Sequence, residues 1–87
     1  MGILAHLDVV PPGNGWDYDP FGGVIAGDAI YGRGVVDDKG PAVAAMYAMK
    51  DILDAEKPLN KRVRLIFGCQ EEDGDWDDME YYKAHEE

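Results

Sequence analysis

An 87-residue chain with 46% hydrophobic residues has room for one domain and a small core, burying only about 60–65% of the surface exposed when unfolded. Its formal charge of −10 excludes a phosphate backbone as ligand, because such binding depends on Lys and Arg displacing counterions. No apolar run approaches the roughly 18 residues of a membrane span, and His6 and Asp8 interrupt the N-terminal apolar stretch that a signal peptide would need. Cys69 is the only cysteine, so no disulfide forms within the chain and a reducing, cytoplasmic setting is expected.

Residues 3–10 (ILAHLDVV) read as a strand whose polar members fall near its C-terminal end. Pro11, Pro12, Gly13, Asn14, Gly15 and Asp19-Pro20 then leave no regular element between about 11 and 21. Val24 to Ala26 and Ala29 to Tyr31 flank Gly27-Asp28, a dipeptide suited to a two-residue hairpin turn. From Pro41 to about Ala55 the residues Val43, Met46, Tyr47, Met49, Ile52 and Leu53 recur at helical spacing, with Pro41 in the first turn and Pro58 beyond the end. Residues 62–69 (RVRLIFGC) become continuously apolar, as a buried strand does, and a second helix is expected from Trp76 to His85. This order predicts an α/β layer in which strands 3–10 and 62–69 lie parallel, joined by a crossover helix, with ligands collecting at their C-terminal ends.

Three groups of residues near those ends can carry chemistry. In His6-Leu7-Asp8 the outer residues share a strand face, and a carboxylate beside an imidazole can orient it for a metal; alone, the pattern is weak evidence. Asp37 and Asp38 precede the first helix, where they either cap it or meet a cation. Glu71 and Glu72 directly follow an apolar strand. A divalent cation would relieve their mutual repulsion, and the alternative is a solvated acidic loop continuing through Asp73, Asp75, Asp77 and Asp78. A calcium loop starting at Asp73 fails, because the position needing Gly is Asp78 and the final Glu position is Ala84. Cys69 reads as a small buried hydrophobe of the apolar strand, and His85 as a surface residue in the terminal segment 84–87, which ends at Glu87.

Taken together, His6-x-Asp8, Gly32-Arg33-Gly34-x-x-Asp37-Asp38-Lys39-Gly40 and Glu71-Glu72 form a specific pattern. It resembles the dinuclear zinc aminoacylase/carboxypeptidase family of metallopeptidases. The connecting text Leu7-Asp8-Val9-Val10-Pro11, Gly15-Trp16, Asp19-Pro20-Phe21-Gly22-Gly23 and Ile30-Tyr31-Gly32-Arg33-Gly34 resembles its Xaa-His/β-Ala-Xaa dipeptidase branch. The resemblance implies that His6 ligates one zinc, Asp37 bridges two, Glu72 ligates the second, Glu71 is the general base and Asp8 orients His6. It also implies a cis bond between Asp37 and Asp38. Zn²⁺ is the implied cofactor, two per complete site, with Mn²⁺ or Co²⁺ as substitutes. Gln70 departs from the family, which often has Asp or another small polar residue there.

By this resemblance residues 1–87 are the N-terminal part of a catalytic domain, lacking the family's inserted domain and its C-terminal metal ligands. The implied substrate is a dipeptide, or a small N-acyl amino acid if the chain is a deacylase of the same family. A non-catalytic remnant or association module, whose incomplete sheet pairs with another copy, is the reading outside enzymes.

Overall fold

The computed structural model describes residues 1–74 and 76–86; Asp75 of the acidic loop and Glu87 of the terminal segment lie outside the described residues. The fold is mixed α/β: β1 (Gly2–His6), β2 (Val24–Ala26), β3 (Ala29–Tyr31), α1 (Gly40–Asp54), β4 (Arg64–Gly68) and α2 (Asp77–His85). β1 and β4 pair in parallel from Gly2↔Arg64 to His6↔Gly68, and β2 and β3 form the expected antiparallel hairpin with Gly27 in the turn at φ 61°.

Both parallel strands are shorter than their apolar runs. Pairing stops at His6 and Gly68, closed by Leu7 N donating to Gly68 O at 2.8 Å, and Leu7 to Val10 continue as irregular chain toward Pro11-Pro12. Cys69 therefore falls outside β4 and is exposed, which corrects its reading as a buried strand residue.

Helix α1 starts at Gly40, with Pro41 in its first turn, where a missing N–H costs no hydrogen bond. It packs on both β1 and β4. Its covered face runs through Ala42, Ala45 and Met49, at spacings of three and four residues. Of the apolar stripe expected from the sequence, Val43, Met46, Tyr47, Ile52 and Leu53 stay exposed. Two of these three covered residues are small alanines, which let a helix approach its neighbours closely.

Ala42 is the one buried hydrophobic residue described, and the molecule measures 47 × 34 × 12 Å. Its radius of gyration is 16.1 Å, against about 12 Å for a compact chain of this length. The fold is a thin sheet-and-helix layer with apolar surface on both sides.

Residues 11–23 are tied to the hairpin by side chains. Arg33 and the Trp16 indole both donate to the Pro12 carbonyl, at 2.9 and 2.7 Å, with the guanidinium 5.2 Å from the indole centroid. Tyr18 stacks on Tyr31 at 4.5 Å. These contacts anchor the segment that leads through Gly34 into the turn at 35–39. Gly34 has φ 88°, and a Cβ there would lie 2.6 Å from Val9 Cγ1, so glycine is what lets the turn reach the end of β1.

Candidate metal centre

His6 is the last residue of β1, the turn at 35–39 carries Asp37 and Asp38, and Glu71-Glu72 follow β4 after the two intervening residues Cys69 and Gln70. The parallel pairing thus brings all three groups to one end of the sheet. The Asp37-Asp38 peptide bond is cis. Asp38 turns back, its Oδ2 accepting the backbone amide of His6 at 3.1 Å, while Asp37 Oδ1 lies 2.9 Å from His6 Nε2.

The other ring nitrogen defines the chemistry. His6 Nδ1 sits 3.0 Å from the Asp8 carbonyl oxygen, an acceptor only, so Nδ1 carries the proton and donates it. In a neutral ring the Nε2 lone pair then faces Asp37 at 2.9 Å, Glu71 at 3.8 Å and Glu72 at 4.0 Å. A lone pair among three carboxylates is repulsive unless a proton or a metal cation lies between them.

The protonation equilibria record the same crowding. Burial opposes charge on His6, but the hydrogen bonds to the Asp8 carbonyl and Asp37 and the negative charge of Glu71 hold its pKa above the ordinary imidazole value. Glu72 is raised, first by desolvation and then by the charges of Glu71 and Asp37. Asp8 is lowered, chiefly because its carboxylate accepts the amide of Glu72, with the amide of Glu71 adding to the effect.

Asp8 is also placed as a tie between strands. Its Oδ1 accepts Glu71 N at 3.2 Å and its Oδ2 accepts Glu72 N at 2.9 Å, whereas the same carboxylate is 3.4 Å from His6 Nδ1. The imidazole is oriented mainly by the Asp8 carbonyl, and the carboxylate holds the two glutamates.

His6, Glu71 and Glu72 offer one ligand atom each, all within 4.8 Å of one another. Two donors about 2.0–2.1 Å from one tetrahedral ion stand roughly 3.4 Å apart, a separation bracketed by the distances from Nε2 to the three carboxylates. One imidazole and several carboxylates are a donor set that suits zinc and its neighbours among divalent metals. The residues therefore fit a metal ion. His85 lies apart from this group, with Nδ1 2.8 Å from the Tyr81 carbonyl and its ring stacked on Tyr81.

Three residues around the site escaped the reading of the sequence. Asp38, read as either a helix cap or a partner of a cation, accepts the His6 amide at the end of β1. Gln70 looked like a neutral departure and Asp78 like part of a solvated loop; Asp78 accepts the backbone amide of Cys69, just before Gln70 and the glutamates, and Gln70 accepts the backbone amide of Asp78 in α2. Only the adjacency of Gln70 to Glu71 hinted at this.

Among the described residues, no helix is long and apolar enough to cross a membrane. Residues 2–84 match peptidase family M20/M25/M40. The chain is 54% identical over all its residues to the Bacillus subtilis (strain 168) protein named "Putative dipeptidase YtjP", of which it covers 19%. It is 49% identical to "Putative dipeptidase SH1171" of Staphylococcus haemolyticus, and 48% to "Putative dipeptidase SAUSA300_1697" of Staphylococcus aureus, covering all of this chain and 18% of each relative. The chain thus spans about a fifth of the length of these relatives. On the match of residues 2–84, the chain belongs to peptidase family M20/M25/M40.

Proposed function

We propose that this chain supplies one wall of a dinuclear zinc centre that hydrolyses dipeptides, as part of the catalytic domain of a longer, cytoplasmic enzyme. The observation that carries the reading is the His6 Nε2 lone pair held among Asp37, Glu71 and Glu72 by the Asp8 carbonyl. The dipeptide substrate follows from the names of the relatives and from the sequence resemblance.

His6 and Asp37 would hold one ion, and Asp37 with Glu72 the other. Bound there, zinc supplies Lewis acidity toward a water molecule and toward the peptide carbonyl. Glu72 is the more enclosed glutamate, 23% exposed, and its carboxylate gains most from a neighbouring cation. Glu71, 43% exposed, keeps an open approach for accepting a proton from the attacking water and returning it to the leaving amine. Asp8 keeps both glutamates in place through their amides, and Asp38 keeps His6 in place through its own.

The test is a pair of substitutions in the full-length enzyme. Glu71→Ala should abolish hydrolysis of β-Ala-His with both zincs retained, whereas Glu72→Ala should also lower the affinity for one zinc. Equal metal loss in the two variants would overturn the division of roles, and undiminished turnover in Glu71→Ala would overturn the reaction.

A further inference from the structure

We infer that Gln70 and Asp78 form a reciprocal clamp that positions the Glu71-Glu72 pair, an inference that rests on the catalytic reading of those glutamates. Asp78 lies in the first turn of α2, and its Oδ2 accepts the backbone amide of Cys69 at 2.7 Å. In return, Gln70 Oε1 accepts the backbone amide of Asp78 at 2.8 Å. Each side chain satisfies a backbone donor of the other segment. One donor is an amide in the first turn of the helix, where no intrahelical partner exists, and the other is the first amide after β4 ends.

The two segments are built to meet. A Cβ on Gly68 would stand 2.8 Å from Asp78 Oδ2 and 3.0 Å from Met79 Cε, so the close seat of α2 on the end of β4 depends on that glycine. Asp78 Oδ1 also lies 2.7 Å from Met79 N, which places its carboxylate against the positive end of the helix. Trp76, at the N-cap of α2, has φ 57° and supplies no side-chain cap; among the described residues Gln70 accepts the Asp78 amide from across the gap and Asp78's own carboxylate accepts the Met79 amide.

The consequence reaches the site through four consecutive residues. Asp78 fixes the amide of Cys69, the side chain of Gln70 is committed to α2, and Asp8 fixes the amides of Glu71 and Glu72. Asp8 grips the glutamate pair from the β1 side, and the Gln70–Asp78 clamp grips the residues just before it from the α2 side. With the second grip gone, the pair would pivot on Asp8. Such a displacement of the order of 1 Å costs far more in turnover than in binding. This also gives Gln70 a role: its side chain has the length to cross to the helix.

The experiment uses the zinc-loaded full-length enzyme with β-Ala-His. Gln70→Met keeps the side chain's length without its acceptor, and Asp78→Ala removes the carboxylate. Each should lower kcat about tenfold with KM within about threefold, and the double variant should be little worse than the poorer single. Gln70→Glu, which restores an acceptor, should recover most of kcat. A kcat within twofold of the parent in both single variants, whatever happens to Tm, or an effect confined to KM, would overturn the clamp. Should Asp78→Ala not fold, the comparison of Gln70→Met with Gln70→Glu decides alone. Glu71→Gln is run alongside: an inactive Glu71→Gln with normal Gln70 and Asp78 variants sinks only the clamp, whereas an active Glu71→Gln sinks the catalytic reading and the clamp with it.

Discussion

The Asp8 carboxylate accepts the backbone amide of Glu72 at 2.9 Å across 64 positions of sequence, binding the end of β1 to the segment that follows β4. Parallel strands have no connecting turn to set their relative ends, so a side chain crossing between them does this work where His6 and the two glutamates sit.

Asp8→Ala in the full-length enzyme should therefore reduce both zinc affinity and kcat, each by about 10- to 100-fold, as the loss of groups that support metal ligands usually does. Asp8→Asn keeps one acceptor oxygen and should fall between the parent and Asp8→Ala. Chelator competition and steady-state kinetics measure the two effects. An Asp8→Ala enzyme that lost turnover while binding zinc normally would show that the carboxylate acts on the reaction and not on the ligands.

The metal-free protein should show opposing pH dependences. The folded His6 pKa lies above 6.5, so the stability it contributes is fully present below that value and is lost as pH rises through the folded pKa. Asp8 has a folded pKa below 3.8, so its contribution is present above that value and is lost as pH falls through the folded pKa. With His6 as a ligand, as proposed, zinc has to displace its proton, so apparent affinity should fall about tenfold per pH unit below the folded His6 pKa. NMR titration of the imidazole with zinc competition between about pH 5.5 and 7.5 tests this. A pH-independent affinity across that range would remove His6 from the ligand set.

Gly34→Ala should destabilise by about 1–3 kcal/mol, since φ 88° and the 2.6 Å approach to Val9 Cγ1 leave no room for a methyl group. The turn bearing Asp37 and Asp38 would move away from β1, so kcat should fall alongside the denaturation midpoint. Parent-like stability would mean that the turn relaxes without cost.

Element order and the parallel pairing of β1 and β4 were legible because β-branched runs, proline breaks and helical spacing are local signals. The convergence of His6, Asp37, Glu71 and Glu72 was legible only as a pattern, since each piece alone has an ordinary reading. The covered face of α1 was legible only at Met49. Periodicity identified the large apolar residues, most of which stay exposed, whereas Ala42 and Ala45 are among the covered ones. Gln70 and Asp78 were illegible for a different reason: hydrogen bonds from side chains to distant amides leave no periodic trace in composition or spacing.

Taken alone, the 87 residues should bind zinc weakly and fail to hydrolyse dipeptides at an enzymatic rate. Holding a site within about 0.5 Å of its productive geometry takes packed support, and here Ala42 is the one buried hydrophobic residue described. Val43, Met46, Tyr47 and Leu53 on α1 and Leu4 on β1 are about half exposed or more, so burial offsets little of the entropy of ordering the chain. The ligand set proposed above gives each ion two protein donors, His6 with Asp37 and Asp37 with Glu72, where catalytic zinc usually has three. The isolated chain should therefore unfold without a sharp transition in urea, bind an apolar dye, and take up zinc far more weakly than a full-length relative. Circular dichroism, dye fluorescence and calorimetry on the mass-verified chain, with β-Ala-His and added Zn²⁺ in the assay, provide the readouts. Cooperative unfolding together with stoichiometric uptake of two zincs and robust turnover would show that this thin layer is self-sufficient, and the proposal that it is one wall of a larger site would fall.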